Sequence, residues 1–326
     1  MTEIRTTLVS CNTCGSTSAR EVGRSRDYEF HSCTNEFVFV ECRECGVIYL
    51  QNRPDLAELR TIYPPAYYDY NEYLGTFVTW LRSLAQRGRI TPIARYAAPG
   101  AFIVEVGCGN GELLRALKAY GDPSWRLMGI DFSSEACAFV ERHGIDARCG
   151  RFEALEWHDR PPDVVIMNQV IEHLDDPRRC VRRARELLAP GGVLIVETPS
   201  TDAWDADWFR PRWWGGWHCP RHWNLYTPAT LAGLFEREGL TVVETTFLLS
   251  PFIWCHSLQN LVGERLGWTR LARAFSERVV PTLVLVSALD VVQRWVHGRT
   301  SNMRMVGRRP TEGIGTEADI PHVGAP

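Results

Sequence analysis

"VEVGCGNGELL", residues 104–114, decides how this chain folds. The apolar residues before Gly107 read as a buried strand, and the leucines after Gly111 as the inner face of a helix. Glycines at 107, 109 and 111 let the backbone turn tightly between the two and let a ligand approach with no Cβ in the way. The start of the helix adds backbone N–H groups that its own turns cannot satisfy. The spacing is G-x-G-x-G. A dinucleotide fingerprint needs G-x-G-x-x-G, and position 112 is Glu; a P-loop needs Gly-Lys-Ser/Thr, which does not follow. The next strand ends at Asp131 in "MGIDFS" (128–133), where a carboxylate can accept both hydroxyls of a ribose. Glu105, inside a buried run, calls for a polar task.

The same alternation continues outward. "WRLMGID" (125–131), "PDVVIMN" (162–168) and "VLIVETP" (193–199) read as strands. "NGELLRALKAYG" (110–121), "SSEACAFVERHG" (133–144) and "DPRRCVRRARELLAPGG" (176–192) read as helices. Continuous apolar strands separated by helices predict a parallel sheet buried on both faces. "TPATLAGLFEREGL" (227–240) predicts a helix with Thr227 as N-cap and Pro228 in its first turn. A strand "TVVETTFLL" (241–249), a helical segment over about 252–297 and a short last strand "SNMRMVGRR" (301–309) complete the order. A helical pattern also runs over 71–96.

"VEVGCGNGELL", "GIDFS", "PDVVIMNQVIEHLDDP" and "LLAPGGVLIVETPS" occur in this order and resemble the successive motifs of class I S-adenosylmethionine (SAM)-dependent methyltransferases, over roughly 98–250. The resemblance implies an α/β fold with a doubly wound, mostly parallel seven-stranded sheet and a final antiparallel strand. It implies that Gly107, Cys108, Gly109 and Gly111 line the methionine part of SAM, and that Glu105 belongs to the same cofactor set. Asp131 would hold the ribose, Phe132 would flank the adenine and Asn168 would lie beside the methionyl end. Many relatives carry an acid after the third strand. Here "CGRFEAL" (149–155) puts Arg151 there, so the adenine contact passes to Phe152 or its backbone. Glu172 and His173 in "VIEHL" also resemble the family and read as shaping the cofactor side.

Ahead of this core, Cys11-x-x-Cys14 and Cys42-x-x-Cys45 are each followed by glycine. Two such turns aim four thiolates at one point and predict a closed, structural zinc site, with His31 and Cys33 as competing ligands from the intervening loop. Residues 1–60 carry seven Arg against nine Asp/Glu, an acidic balance that suits phosphate binding poorly. The whole chain, at net charge −3, has no global pull toward nucleic acid. The expected organisation is a zinc-binding module (1–60), a helical connector (61–97), a methyltransferase core (98–250) with a substrate loop (198–227), then a helical segment, last strand and tail (251–326).

The substrate loop contains "GGWHCPRHWNLYTP" (215–228) and leaves a strand end where ligands bind in this fold. His218 or His222 suits a general base near pH 7, with Tyr226 as a third catalytic candidate. Arg221 could neutralise an acidic substrate, and Trp213, Trp214, Trp217 and Trp223 could wall a dry pocket or simply pack the loop. His218, Cys219 and His222 form a second, crowded set of metal-ligand types. The reading is SAM-dependent O- or C-methylation of a small-molecule, sugar or lipid-linked acceptor. Its rivals are a zinc-ribbon RNA methyltransferase, disfavoured by "NQVIEH" in place of an Asn-Pro-Pro-Tyr-like element, and a non-catalytic scaffold. The polar opening "MTEIRTTLVSCNTCG" leads to the expectation of a cytoplasmic protein. The segment 258–297 mixes Arg265, Arg270, Arg273 and Arg278 with Trp268, Leu271 and Phe275. That mixture suits a membrane surface, a helical cap over the sheet or a dimer face.

Overall fold

The computed structural model describes residues 2–64, 88 and 90–311. Residues 90–94 are helical; most of the helix expected over 71–96 lies outside the described residues. The N-terminal module consists of strands β1 (Thr6–Leu8), β2 (Ala19–Ser25), β3 (Phe37–Cys42), β4 (Ile48–Leu50) and β5 (Asn52–Pro54). β1 and β5 pair as a small antiparallel ribbon, and β2, β3 and β4 form an antiparallel sheet. The alternation in "FVFVECRECGVIYL" (37–50) produces the β3–β4 hairpin, with Cys42 to Gly46 as its turn.

β6 (Phe102–Val106) is buried along its whole length. After the glycine loop, α1 (Glu112–Tyr120) turns Leu113, Leu114, Ala116 and Leu117 inward and ends at Gly121. β7 (Arg126–Asp131) leads into α2 (Ser134–Arg142), capped by Ser133, whose Oγ accepts the Ala136 N–H at 3.2 Å. β8 (Asp146–Cys149), β9 (Val164–Asn168), α3 (Pro177–Leu187) and β10 (Val193–Pro199) continue the alternation.

The segment 198–227 is more structured than the loop expected there. It carries α4 (Trp204–Phe209) and β11 (Asn224–Leu225). β11 pairs with β4 (Asn224 with Tyr49, Leu225 with Ile48), so the N-terminal module shares a sheet with the core rather than ending at residue 60. Phe37, Phe39, Ile48 and Leu50 share one apolar cluster with Trp214, Trp217 and Trp223. The Phe39 and Trp217 rings stack with centroids 4.1 Å apart. α5 (Pro228–Arg237) has the expected Thr227 cap, completed as a capping box by Thr230.

After β12 (Thr241–Leu248) come α6 (Pro251–Asn260), shorter turns and α7 (Val280–His297), an insertion that ends at β13 (Asn302–Arg308). The main sheet has the order β12-β13-β10-β9-β6-β7-β8, in which β13 alone runs antiparallel, between β10 and β12. This is the expected mostly parallel seven-stranded sheet. From β6 the chain moves out to β7 and β8, then returns to place β9 on β6's other side. The reversal opens a crevice beyond the carboxyl ends of β6 and β9, the position where ligands bind in open α/β sheets.

α7 is inside-out. Its inner face carries the buried Asp290 and Gln293, which accept hydrogen bonds from Trp254 Nε1 and from the Trp204 N–H. Its outer face exposes Val280, Val284, Val291, Val292 and Trp295. Among the described residues no single helix is long and apolar enough to cross a membrane; Thr269–Phe275 and α7 reach that composition only as a pair bent by 63°.

Candidate active site

Gly107, Gly109 and Gly111 all take positive φ, at 68°, 50° and 66°. A Cβ on Gly107 would approach Val170 Cγ2 to 2.5 Å, and one on Gly111 would approach Val140 Cγ2 to 2.8 Å. A Cβ on Gly109 would meet nothing within 4 Å. Gly107 and Gly111 thus let the loop pack, and Gly109 presents bare backbone to open space. Asp131 ties this loop to the end of β7. Its Oδ2 accepts the Gly109 N–H and its Oδ1 the Ser133 N–H, each at 2.9 Å. A carboxylate oxygen offers more than one acceptor site, so both retain capacity for a ligand hydroxyl. Phe132 follows and is 71% exposed, unusual for so apolar a residue at a strand end. Glu105 is buried in β6, next to Gly129 of β7 and Ile166 of β9. Asn168 closes β9.

Val170, the residue that touches Gly107, leads directly to a second feature. A cavity of about 220 Å³ is lined by Gln169, His173, Pro199, Gly215, Gly216, His218, His222, Phe252, Ile253 and His256. Gln169 follows the last residue of β9 and Pro199 ends β10, so the cavity lies beyond the carboxyl ends of those strands. Gln169 and His218 are both non-glycine residues at positive φ, 54° and 34°. Such strain survives only where surrounding structure enforces it, and it concentrates at functional sites.

His218 Nδ1 lies 2.7 Å from Glu29 Oε2. Burial pushes the Glu29 carboxyl up, but the His218 imidazole beside it, together with His256 and Arg221, holds it below the usual carboxylate range. His222 Nδ1 lies 2.9 Å from the Gly216 carbonyl; burial and then the neighbouring His173 hold its pKa well below the ordinary imidazole value. His173 Nδ1 lies 3.0 Å from the Arg221 carbonyl and 3.1 Å from Tyr63 Oη, and burial pulls its pKa down to about 3. Glu172 is fully buried, accepts from Thr198 Oγ1 at 2.9 Å and is pushed up to about 8 by burial. Burial also pulls His256 down, but the Glu277 carboxylate, 3.8 Å away, and Glu29 outweigh it and hold His256 above the ordinary value.

A third feature lies in the N-terminal module. Ligand atoms of Cys11, Cys14, Cys42 and Cys45 all fall within 4.8 Å of one another. Cys11 Sγ is 3.5 Å from Cys45 Sγ, and Cys14 Sγ is 3.4 Å from Cys42 Sγ. A disulfide would bring sulfurs to about 2.05 Å. A tetrahedral metal with bonds of about 2.3 Å holds its sulfurs about 3.8 Å apart, so the four thiols fit an ion. His31 and Cys33 do not join this group. Cys33 instead packs with Phe37 and Ile4 in an apolar cluster.

Residues 79–245 match the family described as methyltransferase domain. The chain belongs to the class I SAM-dependent methyltransferases. It is 31% identical over 148 residues to a probable S-adenosylmethionine-dependent methyltransferase of Mycolicibacterium smegmatis, a match covering 45% of this chain and 54% of that protein. It is 30% identical over 177 residues to a ubiquinone biosynthesis O-methyltransferase of Cereibacter sphaeroides, covering 49% of this chain and 69% of that protein. The chain therefore spans about half the length of the first of these relatives. The fold is also similar to a solved SAM-dependent methyltransferase from Thermotoga maritima, with a TM-score of 0.48 at 16% identity over 76% of this chain and 98% of that one.

Several residues expected in the methyltransferase's site occupy other places. Arg221 is fully buried and cannot meet an acidic substrate. Its Nη2 donates to Asp27 Oδ2 at 2.9 Å and its Nε to the Ile62 carbonyl at 2.7 Å. Trp214, Trp217 and Trp223 are core residues, not pocket walls. Tyr226 is fully buried in the main core, and burial, then the nearby Glu172, holds its hydroxyl well above the usual phenol range. That position removes it from direct contact with an acceptor. Cys219 is buried among apolar residues, so His218, Cys219 and His222 do not form a ligand set; Glu172 and His173 stand with His222 instead. The Cys108 thiol packs beside Leu114 and Val140, leaving only its backbone to the glycine loop. The Phe152 ring is likewise in the core, so its contribution to an adenine site is confined to backbone. His173, read as shaping the cofactor side, lines the histidine pocket. Gln169 and His256 also line that pocket, and Glu29 reaches His218 from the N-terminal module; of these only His256, a polar residue in the apolar helix α6, left a local sequence signal.

Proposed function

We propose that this methyltransferase moves a methyl group from SAM to an oxygen or acidic carbon of a small-molecule or lipid-linked acceptor held in the histidine pocket. The observation that carries this reading is His218 on the wall of a cavity beyond β9 and β10, with its Nδ1 2.7 Å from Glu29 Oε2. When bound, SAM supplies a sulfonium-activated methyl group that an aligned nucleophile takes in line. The chain's residues then have three tasks. The Gly107–Gly111 backbone and Asp131 would hold the cofactor, and the exposed Phe132 would flank its adenine. The pocket aligns the acceptor and excludes water, which raises the effective concentration of the reacting pair. His218 accepts the proton that the nucleophile loses, while Glu29 fixes its ring and stabilises the imidazolium that forms. His222 has no carboxylate at its Nδ1, and its desolvation makes it the weaker base.

Asp131 gives the cofactor half of this reading its test. Asp131→Ala is expected to weaken SAM binding by about 1.5–3 kcal/mol, the scale of hydrogen bonds to a charged group. Titration calorimetry reads the change directly, and unchanged affinity would remove Asp131 from the site.

The Cys11, Cys14, Cys42 and Cys45 set is assigned to one structural zinc, since four thiolates leave no open position for substrate. The acceptor's source is addressed by α7. Its exposed valines and Trp295 belong to the same insertion as the exposed Arg265, Arg270, Arg273, Arg278 and Arg294. An exposed apolar helix face in an arginine-rich segment suits the surface of an anionic bilayer. The enzyme should float with anionic liposomes at low salt and be released by high salt. Protein that stays at the bottom of the gradient at low salt would contradict a peripheral membrane role.

A further inference from the structure

Glu172, His173 and His222 each offer a ligand atom within 4.8 Å of the others, apart from the cysteine quartet. Glu172 lies in the short turn Ile171–His173 after β9, and its side chain is wholly buried. Its Oε2 is satisfied by Thr198, but its Oε1 has no hydrogen-bond partner and lies 4.0 Å from His173 Nε2. A buried carboxylate oxygen without a partner is costly.

The two imidazoles are held in a defined sense. His173 Nδ1 faces the Arg221 carbonyl and His222 Nδ1 faces the Gly216 carbonyl, at 3.0 and 2.9 Å. A carbonyl oxygen only accepts, so the Gly216 contact puts hydrogen on His222 Nδ1; His173 Nδ1 also faces the Tyr63 hydroxyl at 3.1 Å, which can accept alongside the Arg221 carbonyl. In a neutral ring the lone pair is then on Nε2. Two imidazole nitrogens and one carboxyl oxygen thus gather within 4.8 Å of one another. Backbone carbonyls holding the far ring nitrogen are the usual support for metal-binding histidines.

We propose that Glu172 Oε1, His173 Nε2 and His222 Nε2 bind a divalent transition-metal ion at the edge of the histidine pocket. Two imidazoles and one carboxylate suit zinc or iron(II) better than magnesium, which prefers an all-oxygen shell. Three protein ligands leave a position open to the cavity that His173 and His222 line. An acceptor oxygen could occupy it, which would lower that oxygen's pKa before methylation; this last consequence rests on the methyl-transfer reading, whereas the metal site does not.

Metal content separates the two sites. The full chain, purified without chelator and dialysed against zinc, should hold two equivalents. Cys42→Ser should remove one and Glu172→Gln the other, with His222→Ala matching the latter. Titration of the wild-type protein with cobalt(II) should likewise produce weak visible bands of nitrogen and oxygen coordination, besides the thiolate charge-transfer bands of the quartet. If Glu172→Gln keeps both equivalents, or if wild-type protein saturated with cobalt shows thiolate bands alone, Glu172 carries a proton rather than a metal and the proposal falls. The cobalt spectrum needs no variant, so it decides even where Glu172→Gln fails to fold. Two equivalents in a protein that transfers no methyl group would leave the metal site standing and overturn the function instead.

Discussion

Replacing His218 by alanine is expected to lower kcat by about 10²–10⁴-fold, the usual cost of losing a general base. SAM affinity should stay nearly unchanged, because no cofactor contact is removed. The backbone supplies a control. His218 adopts φ 34° and ψ 47°, a left-handed conformation that costs a side-chain-bearing residue about 1–2 kcal/mol. His218→Gly relieves that strain, so it should melt higher than His218→Ala, which loses the same Glu29 partner, while remaining as slow. Formation of S-adenosylhomocysteine, with cell extract as the source of acceptor, gives the rate, and thermal melting gives the stability. Alanine variants of His218 and His222 that both turn over normally and only melt earlier would make the histidines structural.

Cys42→Ser should be the most destabilising single change in the N-terminal module. Structural zinc contributes roughly 10–16 kcal/mol of apparent binding free energy in small zinc-finger peptides, and much of that is folding energy. The variant should lose the quartet's metal, and residues 1–60 should become sensitive to protease. Activity should fall with them for a physical reason. The module supplies Glu29 to His218 and Asp27 to Arg221, and β4 of the module pairs with β11. Zinc that stays at full stoichiometry in Cys42→Ser, or a module that stays protected without zinc, would contradict the structural role.

The central sheet was legible because its signals are local. The central parallel strands β6, β9 and β10 are short apolar runs, helices start at caps such as Ser133 and Thr227, and the glycine loop lies between one strand and one helix, whereas the polar Asp146–Cys149 gave no strand signal of its own. The seven-stranded order with one antiparallel strand came from the family resemblance, which those motifs carried. The pocket was harder, because its partnerships are non-local. Arg221 looked like a free cation, yet Asp27, 194 residues away in sequence, neutralises it in the core. The two residues of β11 are too few for any periodicity, so nothing in 198–227 announced that this segment completes the N-terminal sheet. The tryptophans near 215 were readable as wall or as packing from sequence alone, and Phe39 stacking on Trp217 decides for packing. The histidines were found as chemistry but not as geometry. Only the fold brings His173 and His256 beside His218 and His222.

Transfer of label from methyl-tritiated SAM tests the central claim most directly. Wild-type enzyme given cell extract should move tritium onto an extractable small or lipid-linked acceptor, whereas His218→Ala, binding SAM with similar affinity, should leave nearly all of it on SAM. Wild-type enzyme that binds SAM but labels no such acceptor, or a His218→Ala variant that labels it as fast, would contradict methyl transfer through this pocket.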